Sequence, residues 1–241
     1  MFGEVAQNIS RYNTMEKVDD FITIIMFVMN RSQLTLWLDP AQRTRECMKP
    51  KPNSYDFTHV YEFLFKEYDI SFPLTDFEAG ILMTMDIAPS QLHPRSLAYL
   101  KCFEIFCSHL DLEPSINVFT YFYQVKFGKF VGWVSLSDAY DSSLFTLYSS
   151  SYKHFKTKNF KFQCHLKDVE KRLLFHPDFT PRFPFYWQKP TRFKSQAKYL
   201  LTLKEREAID TIGQLPRHIS SRTLLSVPFV EDSDALFLSM A

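Results

Sequence analysis

Apolar positions first gather between Phe21 and Met29, a run of nine residues. Asn30, Arg31, Ser32 and Gln33 interrupt it, and Leu34–Leu38 resumes it. A bilayer-crossing helix needs roughly 20 apolar residues, so this pattern predicts two buried core segments and no membrane span. Residues 40–54 (PAQRTRECMKPKPNS) are polar and hold three prolines, which is linker composition. The pattern divides the chain into an N-terminal extension and linker at 1–54, a principal globular domain at 55–228, and an acidic tail at 229–241.

From Tyr55 the apolar spacing turns helical, with Val60, Phe63, Leu64 and Tyr68 near one face. Thr75 followed three residues later by Glu78 has the form of a capping box, in which each side chain satisfies an orphan amide of the other. It predicts a helix running to Met85. Pro89 and Pro94 interrupt the chain. Pro94 suits the first turn of the next helix, where its missing N–H costs nothing. Leu97, Leu100, Phe103, Phe106, Cys107 and Leu110 give that helix an apolar stripe, and Pro114 ends it. Ser115 can cap a fourth segment through Phe119, Phe122 and Tyr123, whose aromatic content also suits a strand.

Beyond Phe127 the period shortens. Residues 130–136 and 144–148 read as a hairpin or two adjacent strands, and Phe160-Lys161-Phe162 as a third strand. Pro177, Pro181, Pro184 and Pro190 predict an irregular segment over 175–193. Thr202 with Glu205 is a second capping box, opening a helix through Ile209 and Ile212 that Leu215-Pro216 closes. The fold class is α+β: a helical N-terminal half of the core (55–125), a small antiparallel strand region (130–163), and a C-terminal helix.

The chain's 241 residues are 46% hydrophobic and include 25 Phe and 12 Tyr, ample for a sizeable core. Its five glycines, at 3, 80, 128, 132 and 213, form neither GxGxxG nor GxxxxGK[ST]. Phosphate loops need such glycines for close backbone approach, so no nucleotide cofactor is assigned. Neither GxSxG nor HExxH occurs. Ser149-Ser150-Ser151 reads as turn or capping chemistry. The four cysteines (Cys47, Cys102, Cys107 and Cys164) lack zinc-site spacing. Cys102 and Cys107, with His109 beside them, stand about 140° apart around a helix. Cys164-His165 offers no second ligand pair. No charged-then-apolar leader follows Met1, so the cysteines are read as reduced, buried thiols of an intracellular protein. Asp19-Asp20 reads as helix N-terminal acid and not as a metal pair. No catalytic residue, metal ligand, cofactor or small-molecule substrate is assigned.

The formal net charge is only +1. Yet residues 151–200 carry 12 Lys and Arg against 3 Asp and Glu. Within that block Tyr152, Lys153, Phe155, Lys156, Lys158 and Lys161 interleave cations with aromatics, and Arg192 and Lys194 extend the positive stretch. Single-stranded nucleic acid is held by such pairs, through phosphate neutralisation and base stacking. The competing reading is a solvated lysine face whose aromatics lie in the core.

Several strings together resemble a known family. They are Phe72-Pro73-Leu74, Ile87-Ala88-Pro89-Ser90-Gln91-Leu92-His93-Pro94, Phe103-Glu104-Ile105-Phe106-Cys107, Gly132-Trp133-Val134-Ser135-Leu136, Phe183-Pro184-Phe185-Tyr186-Trp187 and Leu215-Pro216-Arg217. The stretch from 56 to 228 resembles the plant "putative gypsy-type transposase" domain, associated with long-terminal-repeat retroelements. The resemblance implies a retroelement origin and supplies no catalytic motif. Three functions follow as expectations: a non-enzymatic structural or interaction module that self-associates, a nucleic-acid-binding protein using the 152–198 block, and a metal-dependent transposase or nuclease. The last needs carboxylates converging on metal ions.

Overall fold

The structure is a computed structural model. It describes residues 9–28, 38–39, 57–66, 74–127, 132–139, 143–146, 155–163, 174–193 and 197–226. The linker at 40–54 and the tail at 229–241 lie outside the described residues. The chain forms two compact units. The first comprises residues 1–92, 127–134 and 152–191, and the second 93–126, 135–151 and 192–241.

The first unit is built on a three-stranded antiparallel sheet, ordered β1 (Leu38–Asp39), β6 (Asn159–Gln163), β2 (Phe57–Tyr61). Its register sets Val60 opposite Phe160 and His59 opposite Lys161. All five β2 residues are buried, so the strand is covered on both faces. Helix α1 (Met15–Val28) precedes the sheet. The short α2 (Glu62–Lys66) continues directly from β2. Helix α3 (Asp76–Met85) begins at the expected box: Thr75 Oγ1 accepts from Glu78 N–H at 3.0 Å and Thr75 N–H donates to Glu78 at 3.0 Å. It ends where Asp86 turns left-handed, at φ 53°.

Residues 87–92 then form a buried polar clip. In the 3-10 turn Pro89–Gln91, the Ser90 carbonyl accepts from Tyr61 Oη at 3.0 Å and Ser90 Oγ accepts from Trp187 Nε1 at 2.9 Å. The Gln91 amide donates to the Gln188 carbonyl at 2.7 Å and accepts from the Gln188 N–H at 3.1 Å. The proline-rich segment 181–191 is thereby pinned without regular structure of its own.

In the second unit α4 (Pro94–His109) is buried around most of its circumference, as a helix at the centre of a core must be. Phe103 meets Phe119 of α5 (Ile116–Phe122) edge-on at 5.2 Å. Phe119 stacks on Tyr123 at 4.6 Å, and Phe106 meets Phe145 at 5.6 Å. Strand β3 (Tyr123–Phe127) pairs with β4 (Val134–Asp138). Strand β5 (Phe145–Thr146) pairs in parallel with β7 (Ile219–Ser220). Helix α6 (Leu203–Gly213) starts at the second expected box, and α7 (Ser221–Ser226) follows β7.

The α+β class holds, with three local corrections. Val60 belongs to β2, because pairing with β6 overrides helical spacing until Glu62. Among the described residues the strands near 130–136 and 144–148 are not partners: β4 takes β3, and β5 takes β7, with Phe145 opposite Ile219, 74 residues further along the chain. Asp19 and Asp20 sit in the second turn of α1, not the first, where Glu16 stands. Among the described residues no helix is long and apolar enough to cross a membrane.

Candidate functional site

Strand alternation sorts the basic block. In β6 Phe160 and Phe162 are fully buried, while Lys161 between them is partly exposed. Phe155 of the 3-10 turn Phe155–Thr157 is also buried. Phe155, Phe160 and Phe162 are thus core residues, and Lys156, Lys158 and Lys161 between them are partly exposed. Each of these three lysines has a partner. Lys156 Nζ lies 4.0 Å over the Trp133 ring, and Lys161 Nζ lies 5.2 Å over the Phe57 ring. Lys158 Nζ stands 3.3 Å from Glu62 Oε2. Arg192 is exposed. Tyr152, Lys153 and Lys194 lie outside the described residues. Of the cations extending the block, Arg182 is buried and bonds Asp76 at 2.7 Å, and Lys198 pairs with Asp210.

Lys158 leads to a site that the block alone does not reveal. Glu62 is almost fully buried, and its carboxylate is held by Lys66 on one oxygen and Lys158 on the other. Burial works against its charge, but the two lysines together hold it below the ordinary glutamate value. Nearby, Ser10 Oγ donates to the Asn159 carbonyl at 2.6 Å and Arg11 N–H donates to the Thr157 carbonyl at 2.7 Å. These bonds fix residues 10 and 11 on the end of β6. Tyr12, Phe21 and Phe160 form a three-ring cluster: Phe160 stacks on Tyr12 at 4.0 Å and on Phe21 at 4.4 Å, and Tyr12 and Phe21 meet at 5.3 Å.

The result is a cleft of about 410 Å³ lined by Arg11, Tyr12, Lys17, Asp20, Phe21 and Lys66. Three of the six side chains are cations and one is an acid. Burial, then the Glu62 carboxylate, pushes the Tyr12 hydroxyl above its usual range, so it stays protonated. Sequence reading missed this cleft because its residues are spread from position 11 to position 66. The one local signal is a tyrosine set between Arg11 and Lys17.

A second cleft, of about 590 Å³, has polar walls that include Ser137, Asp138, Ser143 and His218. His218 is in the left-handed region at φ 62°. Among the described residues no hydrogen bond joins these side chains to one another; Ser143 Oγ donates to the Phe145 carbonyl. A nucleophile needs a base within bonding reach, and this cleft does not supply that pair. Cys102 and Cys107 are both buried. Burial raises both thiols, Cys107 to about 12 with Glu104 adding to the effect, so neither is a thiolate at neutral pH. Cys47, Cys164 and His165 lie outside the described residues. Among the described residues no three His, Cys, Asp or Glu side chains group closely enough to hold a metal ion.

The family model described as "Putative gypsy type transposon" matches residues 60–127. The matched segment runs from the end of β2 through α5 and β3 and contains the Ile87–Pro94 string and the Phe103–Cys107 string. Over that segment the chain is similar to gypsy-type transposon proteins. No curated protein matches the chain, and no solved structure does.

Proposed function

We propose that this relative of gypsy-type transposon proteins is a non-enzymatic interaction module that assembles with further copies of itself. The observation that carries this is an exposed apolar turn. Tyr199, Leu200 and Leu203 are 78%, 63% and 64% exposed, within five consecutive residues. They sit on a well-fixed frame: the 3-10 turn Lys198–Leu200 feeds the capping box at Thr202, and Leu201 between them is buried. Three large apolar side chains held out together favour a protein partner. The flanking charges are of both signs, with Lys204, Glu207 and Asp210 exposed on α6. An apolar centre with a mixed-sign rim is self-complementary about a two-fold axis. Light scattering coupled to size exclusion tests this on the full chain. Mass should rise with concentration, and a Tyr199→Ser, Leu203→Ser variant should stay monomeric. A wild-type chain that is monomeric throughout would overturn the reading.

A second reading, nucleic-acid binding, is supported by the outward lysines of the basic block. Lys156 rests on Trp133, which is itself partly exposed, so a cation and an indole ring share one surface patch. This reading predicts steeply salt-dependent binding that weakens when the lysines are removed.

A further inference from the structure

The nucleic-acid reading leaves open which groups would grip a strand. Three lysines of the basic block are engaged: Lys158 with Glu62, and Lys156 and Lys161 over aromatic rings. Phe155, Phe160 and Phe162, which alternate with those lysines, are buried. The cleft at the edge of α1 has the complementary character. Arg11 is exposed. Its backbone is nevertheless fixed by the bond to Thr157. Lys17 is exposed and oriented by Asn13, 2.9 Å from its amine. Lys66 is held at the opposite wall by Glu62 and lies 5.3 Å over the Phe21 ring.

Beneath these cations lie two rings, Tyr12 and Phe21, braced by Phe160. Tyr12 is only half-buried, so part of its ring borders the cleft. Cations around a partly open aromatic surface suit a ligand with an anionic group and a planar face. The volume is at the small end of the range for organic ligands, roughly 300–1,000 Å³. It admits one nucleotide unit and not the width of a duplex. Among the described residues Asp20 is the only acid in the lining.

Resting on the nucleic-acid reading, we infer that this cleft holds a phosphate and the adjoining base of single-stranded nucleic acid. Arg11 and Lys17 neutralise the phosphate, Lys66 stays on Glu62, and Tyr12 stacks the base. The same chemistry could be offered by a free nucleotide, so the test separates the two.

The experiment is fluorescence anisotropy of a labelled oligothymidylate with the full chain, across a salt series. It is repeated with an Arg11→Gln, Lys17→Gln variant and with a Lys156→Gln, Lys161→Gln variant. Both cleft positions are exposed, so circular dichroism should show an unchanged fold. Expected is a loss of about tenfold or more for the cleft variant, with the salt slope reduced by roughly 1.4, because each single-strand phosphate contact contributes about 0.7. A Tyr12→Leu variant should weaken binding at every salt concentration with no change of slope, because stacking releases no counterions. Loss in the Lys156, Lys161 variant but not in the cleft variant would overturn the inference while sparing the nucleic-acid reading. No binding at low salt would overturn both. Thymidine monophosphate displacing the strand at equal nucleotide concentration would reassign the cleft to a free nucleotide and overturn the strand assignment. A duplex bound as tightly as the single strand would overturn it too.

Discussion

Glu205 shows how a single carboxylate joins two helices. One of its oxygens accepts from Ser115 Oγ at 2.7 Å and Asn117 Nδ2 at 2.9 Å, at the start of α5. The other accepts from Thr202 N–H at 3.0 Å and Thr202 Oγ1 at 2.9 Å, closing the capping box of α6. Partial burial opposes the charge, but Ser115, the Thr202 amide and Asn117 bring the carboxyl down to about 2, from an ordinary 4.5. The sign follows. A carboxyl depressed in the folded state contributes stability in full above pH 4.5 and loses it as the pH falls toward 2. Glu205→Gln should therefore cost about 1 kcal/mol at pH 7 and little at pH 2.5. Urea unfolding at the two pH values checks this; an equal loss at both would sink the account. Glu62, held by its lysines, leaves a residual pH dependence of the same sign in the variant. The box itself was legible because its partners are three residues apart. The Ser115 and Asn117 bonds were not, since about 90 residues separate them from Glu205.

At the scale of elements, β6 organises the first unit. It is the central strand, pairing with β1 on one side and β2 on the other. Its Phe160 ring stacks on both Tyr12 and Phe21, so one side chain anchors both the chain before α1 and α1 itself. Phe160→Ala should cost roughly 3–5 kcal/mol. Hydrogen exchange should show residues 10–23 losing protection before β2 does, because β2 keeps its backbone ladder to β6 when the ring is removed. Uniform loss of protection across the unit would contradict this order. Sequence alternation at Phe160-Lys161-Phe162 was enough to identify the strand. Its partners were not legible, because β2 lies about 100 residues away and its Val60 also fits a helical spacing. The same blindness applies to β5, whose parallel partner β7 is remote in sequence. The Ile87–Pro94 string illustrates the converse. As text it is distinctive; in the structure its Ser90 and Gln91 are buried partners for Tyr61, Trp187 and Gln188. Gln91→Ala would leave two backbone groups of Gln188 without partners and should cost about 2 kcal/mol, whereas substitution at exposed Gln188 should cost little.

At the scale of the whole molecule, the charge is almost balanced, with net +1 and a pI near 7.7. Balance came from opposed parts: a basic 151–200 and acid elsewhere. The fold moderates the basic excess by pairing Lys158 with Glu62, Arg182 with Asp76 and Lys198 with Asp210. Two drives for association then make different forecasts. If the apolar turn at Tyr199, Leu200 and Leu203 drives assembly, association should peak near pH 7.7, where net repulsion vanishes. Added salt should then leave it unchanged or strengthen it, since apolar burial is not screened. If basic and acidic surfaces attract one another instead, salt should dissolve the assembly within a few hundred millimolar, as the Debye length shrinks below about 8 Å. Static light scattering across pH and salt separates the two. The Tyr199→Ser, Leu203→Ser variant should show no maximum at all. A maximum that persists in that variant, or that disappears with salt in the wild type, would assign assembly to charge and remove the apolar turn from the mechanism.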